Sequence, residues 1–207
     1  MMIIRTSRSA IMSLILVITL LVIILAIWMN YETVHADLTY VTSPIDGRQY
    51  LVRNRKDKIA AANLLAEIRQ RLIKLTDFLK TSYISDDKVS RLVSKFDPDA
   101  VSESIPNTSY TSYSVNKGEK IVFCLRAKDE KAELVDINTM MFVAIHELAH
   151  IMTTSVGHTE EFWSNMRYLL KKAIKVGVYE VHDYKTNPVK YCGIKITQSP
   201  LEGTDKS

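Results

Sequence analysis

No charged residue interrupts Ala10 to Trp28 of this 207-residue chain, and no lysine or arginine appears between Arg8 and Arg48. The run, AIMSLILVITLLVIILAIW, has only Ser13 and Thr19 as polar breaks. At about 1.5 Å per residue a helix of this length nearly matches the ~30 Å hydrocarbon layer of a bilayer. Being apolar all round, it has no polar face to turn to water, which argues against a core helix. Arg5 and Arg8 precede it, so the positive-inside rule predicts a cytoplasmic N-terminus with the remainder across the membrane, and Trp28 and Tyr31 fit as interfacial anchors. A cleaved signal peptide is the competing reading, because Thr33 to Ala36 (TVHA) ends in a small residue. The apolar run is, however, longer than the usual h-region of about 7–15 residues, and that site lies well beyond it. Either reading exports the domain.

The chain also lacks an excess of charge. Without Arg5 and Arg8 it carries 25 basic against 23 acidic residues, which is not the footprint of a nucleic-acid binder. The basic runs Arg53 to Lys58 and Lys171 to Lys175 read as solvated helix faces. Cysteine is scarce too: Cys124 and Cys192 stand far apart, and either one disulfide in an oxidising compartment or two free buried thiols satisfies them. Asn107-Thr108-Ser109 has the form of a glycosylation acceptor. No internal repeat or low-complexity tract is present.

What is there divides into an N-terminus (1–9), a transmembrane signal anchor (10–29), a polar linker (30–50), a domain (51–199) and a short tail (200–207). Apolar residues at Ile59, Ala62, Leu65, Ile68, Leu72, Leu75 and Leu79 predict a long amphipathic helix from about 57 to 79. A short helix over 87–96 stops before Pro98. Alternating Tyr, Ser and Val, then Ile121-Val122-Phe123, predict a β-hairpin near 109–115 and 120–126, turning at Asn116 to Glu119. Asp136 suits the N-cap of a helix reaching about Thr154. A last helix, about 160–175, ends at Gly177. Beyond Val178 no structure is assigned. The fold class expected is α+β, helices plus a short β-hairpin or sheet, behind the N-terminal transmembrane helix.

Three of the five histidines fall in the stretch FVAIHELAHIMTTSVGHTEEFW, Phe142 to Trp163. On a helix, His146 and His150 are one turn apart and project side by side, while Glu147 lies about 100° round at the rim of the same face. Two neutral imidazoles at this spacing suit one Zn²⁺ at about 2.0–2.1 Å each, and the glutamate, held too far back to ligate, suits a general base. Catalytic zinc takes three protein ligands and keeps one position open. His158 is the leading third ligand, since Gly157 can adopt positive φ and turn the chain back. Glu160 or Glu161 is the alternative, with Glu180 and His182 more distant ones.

At these residues the chain resembles the zincin metallopeptidases, and among them the compact WLM and SprT-like groups. The resemblance covers about Lys120 to Leu170: the strand KIVFCLR, then HELAH, then GHTEEFW. It implies a zincin-like domain with His146, His150 and His158 as ligands of one Zn²⁺ and Glu147 as general base. It also implies that an extended peptide lies along the strand before the helix, about Ile121, Val122, Phe123, Cys124, Leu125 and Arg126, as one more strand. Two departures stand out. Seven residues separate His150 from His158, a longer gap than the WLM pattern, and the metzincin Met-turn is absent because Met166 falls inside a helix. An oxyanion donor is sought in the tail, among Tyr179, His182, Tyr184 and Tyr191, with Tyr184 and His182 preferred. Phe162 and Trp163 are expected to pack the last helix against the HELAH helix.

The expectation is thus a membrane-anchored zinc metallopeptidase, with peptide or protein as substrate, the bilayer as partner through Ala10 to Trp28, and no nucleic-acid partner. Two other readings compete. One is a protease of the kind that cleaves DNA–protein crosslinks, which the near-neutral exported domain disfavours. The other is a non-catalytic zinc-binding scaffold, which would not require Glu147.

Overall fold

The computed structural model describes residues 8–106, 111–129 and 131–202. The acceptor at Asn107 and residues 1–7 and 203–207 lie outside them. Helix α1, Arg8–Ala36, contains Ala10–Met29, a span of 20 residues and the one helix among those described that is long and apolar enough to cross a membrane. Its side chains from Ala10 to Met29 are all exposed.

The region read as linker carries structure. Strand β1, Leu38–Thr42, pairs antiparallel with β2, Gln49–Arg53. The turn between them closes through Ser43 N–H to Arg48 O and Gly47 N–H to Ser43 O, both 2.8 Å. The sheet therefore begins at Leu38, within the span read as linker. The strands escape a sequence reading because they are short and β1 alternates only weakly between half-buried and exposed.

Helix α2, Lys58–Tyr83, buries Ala61, Ala62, Leu65, Ile68, Leu72, Leu75 and Leu79 on the stripe its period prescribes, although Ile59 at its start is mostly exposed. Helix α3, Asp87–Lys95, is capped by Asp86, whose carboxylate accepts from Lys88 N–H at 3.1 Å. Three short strands follow: β3, Val101–Glu103; β4, Tyr113–Val115; and β5, Lys120–Phe123. Then come α4, Ile137–Met152, and α5, Glu160–Lys175. Asp136 caps α4 by accepting from Thr139 N–H at 2.9 Å. After α5 the chain turns at Gly177, φ +70°. The tail forms a hairpin of β6, Val189–Tyr191, and β7, Ile194–Ile196, turning at Cys192 and Gly193, which both have positive φ.

The sheet order is β1-β2-β3-β5-β4, parallel at β2/β3 and β3/β5 and antiparallel at both ends. Helices α2 and α4 carry the core against it, joined by Phe162, Leu169 and Leu170 of α5. β5 is thus an interior strand, with Val101↔Ile121 on one side and Ser114↔Ile121 on the other. The expectation that Ile121 to Arg126 offers a free edge is corrected: both flanks of the strand are already hydrogen-bonded, Cys124 and Leu125 follow its end, and Arg126 bridges to Leu134. The edge beside the helix is β4.

Cys124 and Cys192 form a disulfide across 68 residues, which ties the end of β5 to the β6–β7 turn.

Candidate metal centre and cleft

Helical spacing places His146 and His150 on one face of α4, with Nε2 atoms 3.2 Å apart. His158 Nε2 lies 3.1 Å from that of His146. Gly157, φ +85°, turns the chain so that this ring returns to the helix. Two ligands each about 2.0–2.1 Å from a tetrahedral zinc lie about 3.3–3.4 Å apart, close to both separations. One lone pair on His146 cannot accept two in-line hydrogen bonds, so three converging nitrogens fit a shared cation better than a hydrogen-bonded trio.

Phe162 is wholly buried beneath the three rings, its centroid 4.8 Å from His146, 4.4 Å from His150 and 4.7 Å from His158. Trp163 lies 5.5 Å from His158 and remains half-exposed, so the packing role falls mainly on Phe162.

Burial, followed by the charges of His150 and His158, holds His146 down to about 3. Burial, followed by the charges of His158 and Lys117, holds His150 down to about 4. Both are therefore neutral at pH 7, the form a metal requires. Glu147 is buried, and that burial raises its carboxyl to about 7 against the opposing pull of the Ser114 backbone N–H. A base titrating near neutrality both accepts and returns a proton readily.

The loop carrying His158 is fastened from two sides. Lys117 Nζ donates to the carbonyls of Thr153 (3.2 Å) and Thr154 (2.7 Å). Glu161 accepts from the backbone N–H of Thr154 (2.9 Å) and Ser155 (3.1 Å) and from both hydroxyls. These contacts hold Glu161 down to about 2, the Thr154 N–H being the largest cause. Its carboxylate is committed to the loop and is absent from the imidazole cluster. His158 is the third residue the geometry groups with His146 and His150.

The cluster opens into a cleft of ≈ 460 Å³ between β4, α4, the 155–158 loop and the β6–β7 hairpin. Neither Tyr184 nor His182 lines it. Tyr184 is fully buried with its ring 4.7 Å from Phe142, and His182 Nε2 bonds the Asn187 carbonyl at 2.7 Å. Packing draws the Tyr184 ring into the core, and the Asn187 carbonyl engages the His182 ring outside the cleft. Tyr191 lines the cleft instead, sharing a 2.6 Å hydrogen bond with Ser112, whose Oγ also accepts from Cys124 N–H. Sequence reasoning passed over Ser112 and Lys117. Pairing the two cysteines would have brought Tyr191, beside Cys192, to this strand.

The family described as WLM domain matches residues 84–202. Protein R325 of Acanthamoeba polyphaga mimivirus is 32% identical over 187 residues, covering 88% of this chain and 94% of that protein. Protein 136R of Invertebrate iridescent virus 6 is 34% identical over 70 residues, 33% of this chain and 39% of its own length. The crystal structure of Wss1 from Saccharomyces cerevisiae aligns over 61% of this chain and 86% of its own, at 20% identity and a TM-score of 0.47.

Proposed function

The chain belongs to the WLM family, and from that premise we propose that it is a membrane-anchored metallopeptidase that hydrolyses peptide bonds with one Zn²⁺. The observation that carries this reading is the convergence of His146, His150 and His158 beside the buried carboxyl of Glu147. Zinc, when bound, supplies Lewis acidity to the scissile carbonyl and lowers the pKa of water towards about 7. His146, His150 and His158 would hold it. Glu147 receives the proton of the attacking water and returns it to the departing amine. The edge strand β4 offers backbone groups to an extended substrate, which adds as a further strand there rather than along β5.

The reading includes peptide or protein as substrate, attachment through the α1 span, and an N-terminus on the cytoplasmic side with the domain opposite. A disulfide suits such an exported domain, and the small net charge supports the absence of a nucleic-acid partner. The test is Glu147→Gln in the full chain in detergent. Zinc content by elemental analysis stays at about one per chain, while cleavage of a peptide library falls at least about 100-fold. Equal turnover by wild type and variant would remove Glu147 from the chemistry and the peptidase reading with it.

A further inference from the structure

In the β6–β7 hairpin the register pairs Val189↔Ile196, Lys190↔Lys195 and Tyr191↔Ile194. Side chains alternate along a strand, so one face of the hairpin is apolar and the other carries two lysines. An apolar sheet face is ordinarily covered by the core. Here Tyr191 is buried, but Ile194 is 52% exposed although it belongs to the same face.

Ile194, Ile196 and Tyr191 line the same cleft as His146 and Glu147. Phe142 and Val143, the preceding turn of α4, continue this wall. None of these five side chains is charged. Among the described residues Lys117 is the one lysine or arginine lining the cleft, and its ammonium is engaged by the carbonyls of Thr153 and Thr154. Glu147 is the one carboxylate among the described residues that line it.

We propose that this wall is a specificity subsite for an uncharged, apolar side chain of an extended polypeptide, with Ile194 as its specificity-determining residue. The inference rests on the peptidase reading and adds the substrate class. A bound apolar side chain completes the burial that the hairpin lacks, whereas a lysine or aspartate would lose hydration against five side chains that carry no opposite charge. The wall is held in place before substrate arrives. The Cys124–Cys192 disulfide and the Tyr191–Ser112 hydrogen bond fix the hairpin to the β4–β5 side of the cleft.

The experiment uses the full chain in detergent with zinc supplied, and peptide libraries varied at each position flanking the scissile bond, with products mapped by mass spectrometry. At one position wild type favours Leu, Ile or Phe over Lys and Asp by at least about tenfold in kcat/KM. Ile194→Asp raises Lys relative to Leu at that position alone, and Ile194→Lys raises Asp. Ile194 is half-exposed near a hairpin turn, so both variants are expected to fold, and zinc stoichiometry checks this. A second measurement in the Glu147→Gln background reads binding alone: Ile194→Asp weakens capture of a Leu-containing peptide about tenfold. Glu147-dependent cleavage with a preference that neither Ile194 variant moves would overturn the subsite and leave the peptidase reading standing. No Glu147-dependent cleavage of any peptide would take both down.

Discussion

Lys117 Nζ sits 2.7 Å from the Thr154 carbonyl oxygen, while Glu161 receives the amide of the same residue at 2.9 Å. One residue of the loop before His158 is thus gripped through both of its backbone polar groups, by side chains from the β4–β5 turn and from α5. Next to Lys117, Gly118 lets the β4–β5 turn approach the end of α3. Its φ is +122°, and a Cβ there would stand 2.5 Å from the Lys95 carbonyl oxygen.

Removing either grip frees His158 before it removes the fold. Lys117→Met is expected to weaken zinc about tenfold, the usual scale for groups that orient a ligand. Competition against a chromophoric chelator measures it. An unchanged zinc affinity would show that Glu161 and Phe162 preset the ring without Lys117.

Glu161 makes the loop acid-sensitive. Its folded value of about 2 lies below the ordinary 4.5, so the stability it adds is complete above pH 4.5 and is lost as pH falls towards 2. Urea midpoints of wild type and Glu161→Gln, followed from pH 7 to 3, should differ most at neutral pH and converge below 4.5. A gap that holds constant with pH would assign the effect to something other than this carboxylate.

A buried ion cluster lies at the middle of the sheet, between β2, β3 and the residues that follow β5. Glu103 accepts from the Arg53 backbone N–H at 2.6 Å and from Arg126 Nε at 2.7 Å, and Arg126 also donates to Asp57. Glu103 and Arg126 are almost wholly buried. Glu103→Ala would strand the guanidinium of Arg126, at a cost of about 3–5 kcal/mol. Equilibrium urea unfolding reads the change, and a loss below about 1 kcal/mol would mean that water or Asp57 compensates.

The disulfide spans 68 residues, a loop whose closure in the unfolded chain corresponds to about 4 kcal/mol in the chain-entropy account. Reductant should lower the urea midpoint of wild type and leave that of a Cys124→Ser/Cys192→Ser variant unmoved. If reductant has no effect on wild type, the bond does not constrain the chain as described.

Local patterns were legible in the sequence. The apolar span, the α2 stripe from Ala62 to Leu79, the caps at Asp136 and Gly177, and the i,i+4 placing of His146 and His150 each depend on residues within a turn or two. Period and capping chemistry act at that range, so they can be read without the fold. Strands of three to five residues offer few alternations, and only β4 and β5, joined by a turn signal, are read from the sequence, whereas β1, β2, β3, β6 and β7 are not.

Which strand is an edge, whether Cys124 meets Cys192, that Tyr191 and not Tyr184 faces the cleft, and that Lys117 reaches Thr154 were decided only by tertiary structure. Each joins residues 37 to 79 positions apart, or turns on such pairings. Side-chain chemistry names which partners are compatible over such distances. Only the packing of α4 against the sheet and the closing of the β6–β7 hairpin onto Ser112 selects among them, because burial is a property of the assembled chain.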